Sequence, residues 1–142
     1  MAEGKNGIAF GSALSQATQV NKVAEELSEG ITRSLGGAPV DLAFIFLSSH
    51  YGQFEELQQA IIEKLHPKAL LGCTACGVVG DKQELEGVRA ATLFAATLPD
   101  VRLRPFYITQ DQMEENDSKE SWYEFLKIHP GEKPTLFLIP DP

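Results

Sequence analysis

Two cysteines lie three residues apart in a run of small residues at positions 72–77, Gly-Cys-Thr-Ala-Cys-Gly. A Cys-x-x-Cys pair supports thiol–disulfide chemistry when a helix begins at its first cysteine, because the helix N-terminus stabilises the thiolate. Here Gly-Val-Val-Gly follows at 77–80, which is a poor helix start. We therefore expect small, apolar structural cysteines, with redox chemistry as the minor alternative. Structural zinc normally takes four protein ligands, and the chain has no second cysteine pair.

A second group of reactive side chains, Ser48, Ser49, His50 and Tyr51, follows the apolar run 42–47. Neighbours along an extended segment point to opposite sides and rarely form a nucleophile with its base, and there is no Gly-x-Ser-x-Gly elbow. The simpler interpretation is that the two serines cap a helix beginning near Gln53, with the histidine and tyrosine at the surface. The alternative is ligand contact at a strand end.

Both groups follow apolar runs, so two strands of one sheet are predicted to end side by side at a polar rim. The predicted contacts of this polar rim are Ser48, Ser49, Gly72, Cys73, Thr74 and Gly77. Their hydroxyls and thiol can form hydrogen bonds, and glycine backbone N–H groups can receive a carboxylate. The glycines are most simply explained by a turn with unusual dihedral angles. Few ionisable groups are present for acid–base catalysis, and nucleotide-binding glycine patterns are absent.

The elements that position this rim begin with a strand at 8–14. Apolar residues at helical spacing over 17–31 then predict a helix, capped by Ser15 and ending by Gly36-Gly37. The run 42–47 predicts a central strand covered on both faces. A second helix over 54–65, closed by Pro67, leads to a strand at 69–71. This alternation favours right-handed crossovers and parallel neighbouring strands.

The second part of the chain has a different pattern. Strands at 88–98 and 101–108 are separated only by Pro-Asp, which predicts an antiparallel pair with one wet face at Arg102 and Arg104. A loop at 111–119, a short helix around Trp122 and a buried strand at 135–139 follow. The predicted fold class is α/β, a mixed sheet with crossover helices in the first part and antiparallel strands in the second.

Length and charge restrict the function classes. The chain has 142 residues, enough for one domain with a core, and 20 acidic against 12 basic residues give a net charge of -8. Such a charge disfavours nucleic acid and anionic membranes as partners. Neither a membrane-spanning run nor a signal peptide is recognisable, and two cysteines form no disulfide framework. We expect a cytoplasmic location and no metal or other cofactor.

The segments described above together resemble the N-terminal domain of FIST proteins. The resemblance is most specific at 71–80, Leu-Gly-Cys-Thr-Ala-Cys-Gly-Val-Val-Gly, because family members commonly show Gly-Cys-Ser/Thr-Ala-x-Gly there. It extends through 12–15, 41–46, 48–51, 97–101, 105–106 and the closing Leu-Phe-Leu-Ile-Pro-Asp-Pro at 136–142. The second cysteine falls at a position where the family pattern allows any residue, which further disfavours the redox interpretation.

The resemblance implies a sensory domain of intracellular signal transduction that binds a small molecule, with amino acids proposed as ligands, and no enzymatic activity. Some similar proteins bind haem. A protein–protein interaction module of an F-box-type or signalling protein is the alternative, and a thiol-dependent redox or haem-binding protein is less favoured. Residues 1–142 are expected to be a partial N-terminal FIST domain, without the rest of that domain and the C-terminal FIST half. The signalling output would then lie outside this chain, and the isolated chain would be marginally stable or self-associating.

Overall fold

The computed structural model describes residues 7–140 of the chain. Residues 1–6, where signal-peptide features are missing from the sequence, and the closing residues 141–142 lie outside the described residues. The chain divides into two compact units, Met1–Leu103 and Arg104–Pro142. We describe each unit separately.

The first unit is built on a four-stranded sheet. Its strands are β1 (Ala9–Ser15), β2 (Leu42–Ser48), β3 (Ala69–Ala75) and β6 (Ala91–Thr97). The order across the sheet is β1-β6-β2-β3, with β2 and β3 parallel and β6 antiparallel to both of its neighbours. The predicted mixed α/β sheet is therefore confirmed, and so is the inner position of β2. β1 and β2 are separated by β6 because the last strand inserts between them.

Helices α1 (Val20–Ser34) and α2 (Phe54–Leu65) pack side by side on one face of this sheet. Their buried residues join the inward side chains of the strands in one core, which includes Leu27 and Ile31 of α1, Leu57 and Ile61 of α2, and Ile45 and Leu93 of the sheet. We call this side of the sheet the covered face. As predicted, α1 ends before two glycines with positive φ, Gly36 and Gly37, and the amide of Gly37 donates to the Thr32 carbonyl.

The opposite side of the same strands, which we call the open face, carries the phenylalanines. Phe10, Phe94 and Phe44 form a row across β1, β6 and β2, with successive ring centroids 6.0 and 6.5 Å apart. Phe10 is 59% exposed and Phe94 is 38% exposed. Every residue of β2 is nevertheless buried or half-buried, in agreement with the prediction that this strand is covered on both faces; α1 and α2 cover one of them.

A short hairpin, β4 (Gly77–Gly80) and β5 (Gln83–Glu86), forms a separate two-stranded sheet. Its two-residue turn, Asp81-Lys82, has positive φ at both positions, as tight hairpin turns require. A Cβ placed on Gly80 would meet the Thr92 hydroxyl and the Leu14 side chain, so the hairpin lies against one end of the open face. The sequence analysis predicted a glycine turn here and missed both strands.

The second unit contains α3 (Gln110–Glu115) and α4 (Lys119–Leu126). Each begins with a reciprocal cap, Thr109 with Gln112 and Ser118 with Ser121. Phe125 packs edge-to-face on Phe106 and on Trp122, with ring centroids 6.0 Å apart in each pair. The predicted helix around Trp122 is confirmed. The predicted loop at 111–119 is wrong in its first half, because the cap at Thr109 starts a helical turn.

Two predicted strands are wrong. Residues 101–108 are irregular, because both edges of β6 are occupied by β1 and β2 and leave no place for a hairpin partner. Residues 135–139 are also irregular, and the side chains at 136–138 are more than half exposed. Apolar, β-branched composition favours a strand only where a neighbouring strand supplies hydrogen bonds and packing, and prolines at 134 and 140 flank this segment closely.

Candidate functional site

The structure brings Ser48, Ser49, Cys73 and Thr74 to the adjacent ends of β2 and β3, with Gly72 at the middle of β3 and Gly77 at the start of β4. In the parallel pair β2–β3, Phe46 is opposite Cys73, Leu47 opposite Thr74 and Ser48 opposite Ala75. The amide of Ser49 then donates to the Ala75 carbonyl at 2.9 Å. Gly77 begins β4 two residues later. The backbone arrangement predicted from the two apolar runs is thus present.

The side chains of the rim point in two directions. Because side chains alternate along a strand and opposite residues share a face, Ser48 and Cys73 belong to the open face, whereas Gly72 and Thr74 belong to the other. The thiol of Cys73 is half-buried, and the Thr74 and Ser49 side chains are exposed. Ser49 and Thr74 therefore carry the exposed side chains of this ledge at the strand ends, and Ser48 is buried.

Ser48 has a structural role within this ledge. Its side chain is fully buried, and its Oγ accepts a hydrogen bond from the Ala90 amide at 3.0 Å. Its own amide donates to the Ala90 carbonyl at 2.9 Å. These two bonds join the end of β2 to the start of β6. The prediction that Ser48 and Ser49 cap the next helix is wrong, because α2 begins after Gln53 with no side-chain cap.

The glycines of the rim allow close approach of neighbouring backbone. A Cβ at Gly72 would meet the carbonyl oxygen of Ile45 on the adjacent strand, and one at Gly77 would lie 2.9 Å from the Glu86 side chain. Neither glycine has a positive φ. The explanation by unusual dihedral angles is therefore wrong. These positions lack a side chain because neighbouring atoms occupy its place.

A second cluster at the same edge of the sheet was missed by the sequence analysis. Tyr51, predicted at the surface, is 2% exposed, and its hydroxyl donates to the Ala17 carbonyl at 2.7 Å. The Arg89 guanidinium lies 5.1 Å from the Tyr51 ring centroid and donates to the Thr18 carbonyl at 3.0 Å. Burial raises the pKa of the Tyr51 phenol. This cluster ties the ends of β1 and β2 to the start of β6.

Ser15 belongs to this cluster and does not cap α1 as predicted. β1 runs through Ser15, and α1 starts after Gln19, which makes no side-chain cap. The Ser15 hydroxyl instead donates to the Glu26 carboxylate at 2.6 Å and accepts from the Ala17 amide at 3.2 Å. The connection from β1 to α1 is therefore held by side chains that are far apart in sequence.

An open cavity of about 680 Å³ lies beside this cluster, between the first turn of α1 and the side of α2 from Gln53 to Glu63. It is lined by Thr18, Gln19, Val20, Asn21, Gln53, Glu56, Gln59, Ala60 and Glu63. The Gln53 carboxamide donates to Glu56 at 2.9 Å, and that of Gln59 donates to Glu63 at 2.8 Å. None of the six rim residues lines this cavity. The sequence feature that could have indicated this cavity is the group of amide and carboxylate side chains that follows the ends of two strands.

The described residues also bear on redox chemistry and metal binding. Cys73 lies in β3 and Cys76 in the connection to β4, so neither begins a helix. Within residues 7–140, no group of three or more His, Cys, Asp or Glu side chains is arranged to hold a metal ion. None of the helices in that range is long and apolar enough to cross a bilayer.

Comparison with known proteins identifies the family of this chain. Two uncharacterised proteins of Mycobacterium tuberculosis, from strains CDC 1551 and H37Rv, are each 33% identical over 91 residues. The matched segment covers 63% of this chain and 24% of each relative, so it spans about a quarter of their length. The family model of the FIST N domain matches residues 41–142, which include the polar rim and confirm the resemblance. The chain therefore belongs to the FIST family of sensory-type signal transduction domains.

Proposed function

We propose that this chain is a non-enzymatic sensory module that binds a small molecule, such as an amino acid, at the edge of the sheet formed by the polar rim. The observation that carries the proposal is the meeting of β2 and β3 at their carboxyl ends, where ligands of α/β sheets commonly bind. Membership of a sensory family supports the same class of function.

The accessible rim residues would make the ligand contacts. The hydroxyls of Ser49 and Thr74 are exposed and can donate or accept. Gly72 and Gly77 would shape the rim, since neighbouring atoms of the chain occupy the space of a side chain at both positions. The half-buried Cys73 thiol would contact the apolar part of the ligand. Ser48 would act as a positioning residue, since its hydroxyl already accepts from the Ala90 amide.

The neighbouring cavity supports a zwitterionic ligand in particular. Its volume of about 680 Å³ lies in the range of small-molecule sites. Its carboxylates, Glu56 and Glu63, can accept from an ammonium group, and its amides can both donate and accept.

The non-enzymatic part of the proposal is supported by the state of the buried rim serine. Ser48 is fully buried and hydrogen-bonded to backbone, and the exposed His50 follows it on an irregular segment. Signalling output would come from a partner domain outside this chain. A cytoplasmic location agrees with the same proposal. We do not include haem or another cofactor in it.

The direct test is a titration of the whole chain with a panel of amino acids, and with haemin as a chemically different ligand, by calorimetry and thermal melting. A ligand that binds only the native state raises its melting temperature in a saturable way. Saturable binding of one or a few amino acids is the expected result. A melting temperature and a heat signal indifferent to every amino acid would contradict the proposal.

Matched variants locate the site. Ser49→Ala and Thr74→Val remove exposed rim hydroxyls, and Glu56→Gln removes a cavity carboxylate. Each should weaken binding roughly tenfold, the usual effect of deleting one hydrogen bond to a charged group. Thr32→Val removes an exposed hydroxyl from the far end of α1 and serves as the control. Equal affinities in all four variants would place the ligand elsewhere.

A further inference from the structure

We propose that the guanidinium of Arg89 is the carboxylate-binding group of the polar rim, so that the site selects small carboxylate ligands over neutral ones. The assignment rests on the proposed function, and it adds the residue that recognises the charge of the ligand. Arg89 lies just before β6, at the edge of the sheet where β2 ends.

The backbone places Arg89 beside an exposed hydroxyl of the polar rim. Ser48 is joined to Ala90 by two hydrogen bonds, one donated by each backbone amide. The antiparallel register of β2 and β6 therefore continues past the paired residues and places Arg89 opposite Ser49. Because side chains alternate along each strand, Arg89 and Ser49 belong to the side of the sheet that also carries Thr74.

Two contacts hold the guanidinium in place. It lies 5.1 Å from the centroid of the buried Tyr51 ring, and one of its N–H groups donates to the Thr18 carbonyl at 3.0 Å. The other N–H groups have no hydrogen-bond partner within residues 7–140, so they are available to a ligand. A side chain that is already ordered loses little conformational entropy when the ligand binds.

Arg89 also carries a positive charge that the described part of the chain does not neutralise. The chain has 20 acidic and 12 basic residues, so carboxylates are in surplus. Lys68 is paired with Asp41 at 2.6 Å although its own side chain is 70% exposed. Arg89 is half-buried, yet no carboxylate within residues 7–140 lies at ion-pair distance from it. Arginine binds carboxylates through two parallel hydrogen bonds, so the geometry fits a carboxylate supplied by another molecule.

The first experiment measures binding of the simplest carboxylate. The isotope-labelled whole chain is titrated with acetate to about 100 mM, and in parallel with acetamide, its neutral analogue of the same shape, at an ionic strength kept equal with sodium chloride. A ligand this small should bind with a millimolar dissociation constant. Acetate should shift the NMR signals of the Arg89 Nε–H and of the Ser49 amide in a saturable way, and acetamide should not.

The second experiment uses the amino-acid panel, with each member supplied as the free acid and as its carboxamide. For an amino acid that binds, the wild type should prefer the acid by at least about tenfold, and Arg89→Gln should reduce this preference to near unity. Arg33→Gln removes the same charge from an exposed position in the last turn of α1 and should leave the preference unchanged. An arginine that only braces the connection at Thr18 would instead weaken acid and carboxamide alike when it is replaced.

The outcomes separate this assignment from the proposed function. An amino acid that binds with the same acid preference in the wild type and in Arg89→Gln overturns the assignment and leaves amino-acid sensing intact. If no amino acid binds, a saturable acetate shift at Arg89 supports the assignment and contradicts amino-acid sensing, whereas the lack of a shift overturns both.

A further variant guards against a folding defect. Circular dichroism first establishes that Arg89→Gln is folded. If it is not, Arg89→Lys takes its place, because lysine keeps the charge and loses the two parallel hydrogen bonds. Arg89→Lys should give an acid preference between that of the wild type and unity, and a preference equal to that of the wild type overturns the assignment.

Discussion

The two faces of the four-stranded sheet are both apolar, yet they differ in the size of their side chains. The covered face presents mainly small residues, such as Ala13, Ala91 and Ala95, and these allow α1 and α2 to approach the sheet closely. The open face presents the phenylalanines, with Phe94 directly following the buried Leu93. Side-chain size therefore distinguishes a face packed against helices from one that is suited to another layer.

Replacing neighbouring residues of β6 tests this difference most strongly. Leu93→Ala removes a fully buried side chain from the covered face and should lower the free energy of unfolding by about 2–5 kcal/mol. Phe94→Ala removes a larger side chain that is partly exposed, and should cost about 1 kcal/mol. Chemical denaturation measures both values.

The position of the two residues provides the control for this pair. Leu93 and Phe94 are neighbours in one strand with the same flanking strands, so a difference in cost reports the face and not the strand. Equal costs for the two substitutions would contradict the distinction between the faces.

The same comparison explains which parts of the fold the sequence could predict. Helices α1 and α2 follow from spaced apolar residues, and β2 follows from its continuous apolar run. The run 42–47 does not reveal which element covers each face of the strand, because an apolar pattern does not distinguish leucine from phenylalanine. The strand predicted at 101–108 failed for a similar reason, since occupation of both edges of β6 is a property of the whole sheet.

The candidate site was predictable to a similar extent. The pairing of the strand ends at Ser48 and Ala75 follows from two apolar runs of a parallel pair. The role of Ser48 was not predictable, because its partner Ala90 is distant in sequence. The contact between Tyr51 and Arg89 was not predictable for the same reason, since the two residues are also distant in sequence. By contrast, the cap at Thr109 and Gln112 was visible in the sequence as Thr-x-x-Gln and was overlooked.

Gly72 provides a test at the edge of the sheet. Gly72→Ala places a Cβ against the carbonyl oxygen of Ile45, so β3 must shift away from β2, and we expect a cost of about 1–3 kcal/mol. Gly52→Ala is the matched control, because a Cβ there meets nothing within 4 Å and its φ is not positive. Thermal denaturation of the two variants gives the comparison. A Gly72→Ala protein as stable as the wild type would show that the strands can separate without cost.

Asp41 provides a smaller test at the start of β2. Its buried carboxylate is 2.6 Å from the Lys68 ammonium and also accepts from the Leu98 amide. These hydrogen bonds lower the pKa of Asp41, the one from Lys68 most strongly. Asp41→Asn retains an acceptor for the amide but loses the ion pair, and should cost about 1 kcal/mol at neutral pH.

The pH dependence of that cost has a definite sign. A carboxyl group with a lowered folded-state pKa stabilises the protein above its unfolded pKa, about 3.9, and loses this contribution as pH falls through the folded value. The difference between wild type and Asp41→Asn should therefore be constant from pH 7 to about pH 5 and shrink below about pH 4. Urea denaturation across this range measures it. A difference that widens on acidification would contradict the assignment.

Ser28 gives the smallest expected effect, with the opposite sign. It lies in α1 among the residues that cover the sheet, and its hydroxyl is the buried side-chain group without a hydrogen-bond partner in residues 7–140. Ser28→Ala removes this unpaired group and improves helix propensity, so it should raise the free energy of unfolding by about 0.5–1 kcal/mol. Ser34→Ala, at an exposed position in the same helix, changes propensity alone and should have a smaller effect. A loss of stability in Ser28→Ala would mean that the hydroxyl has a partner in solution, such as a bound water. The packing of α1 on the covered face would then leave room for that water.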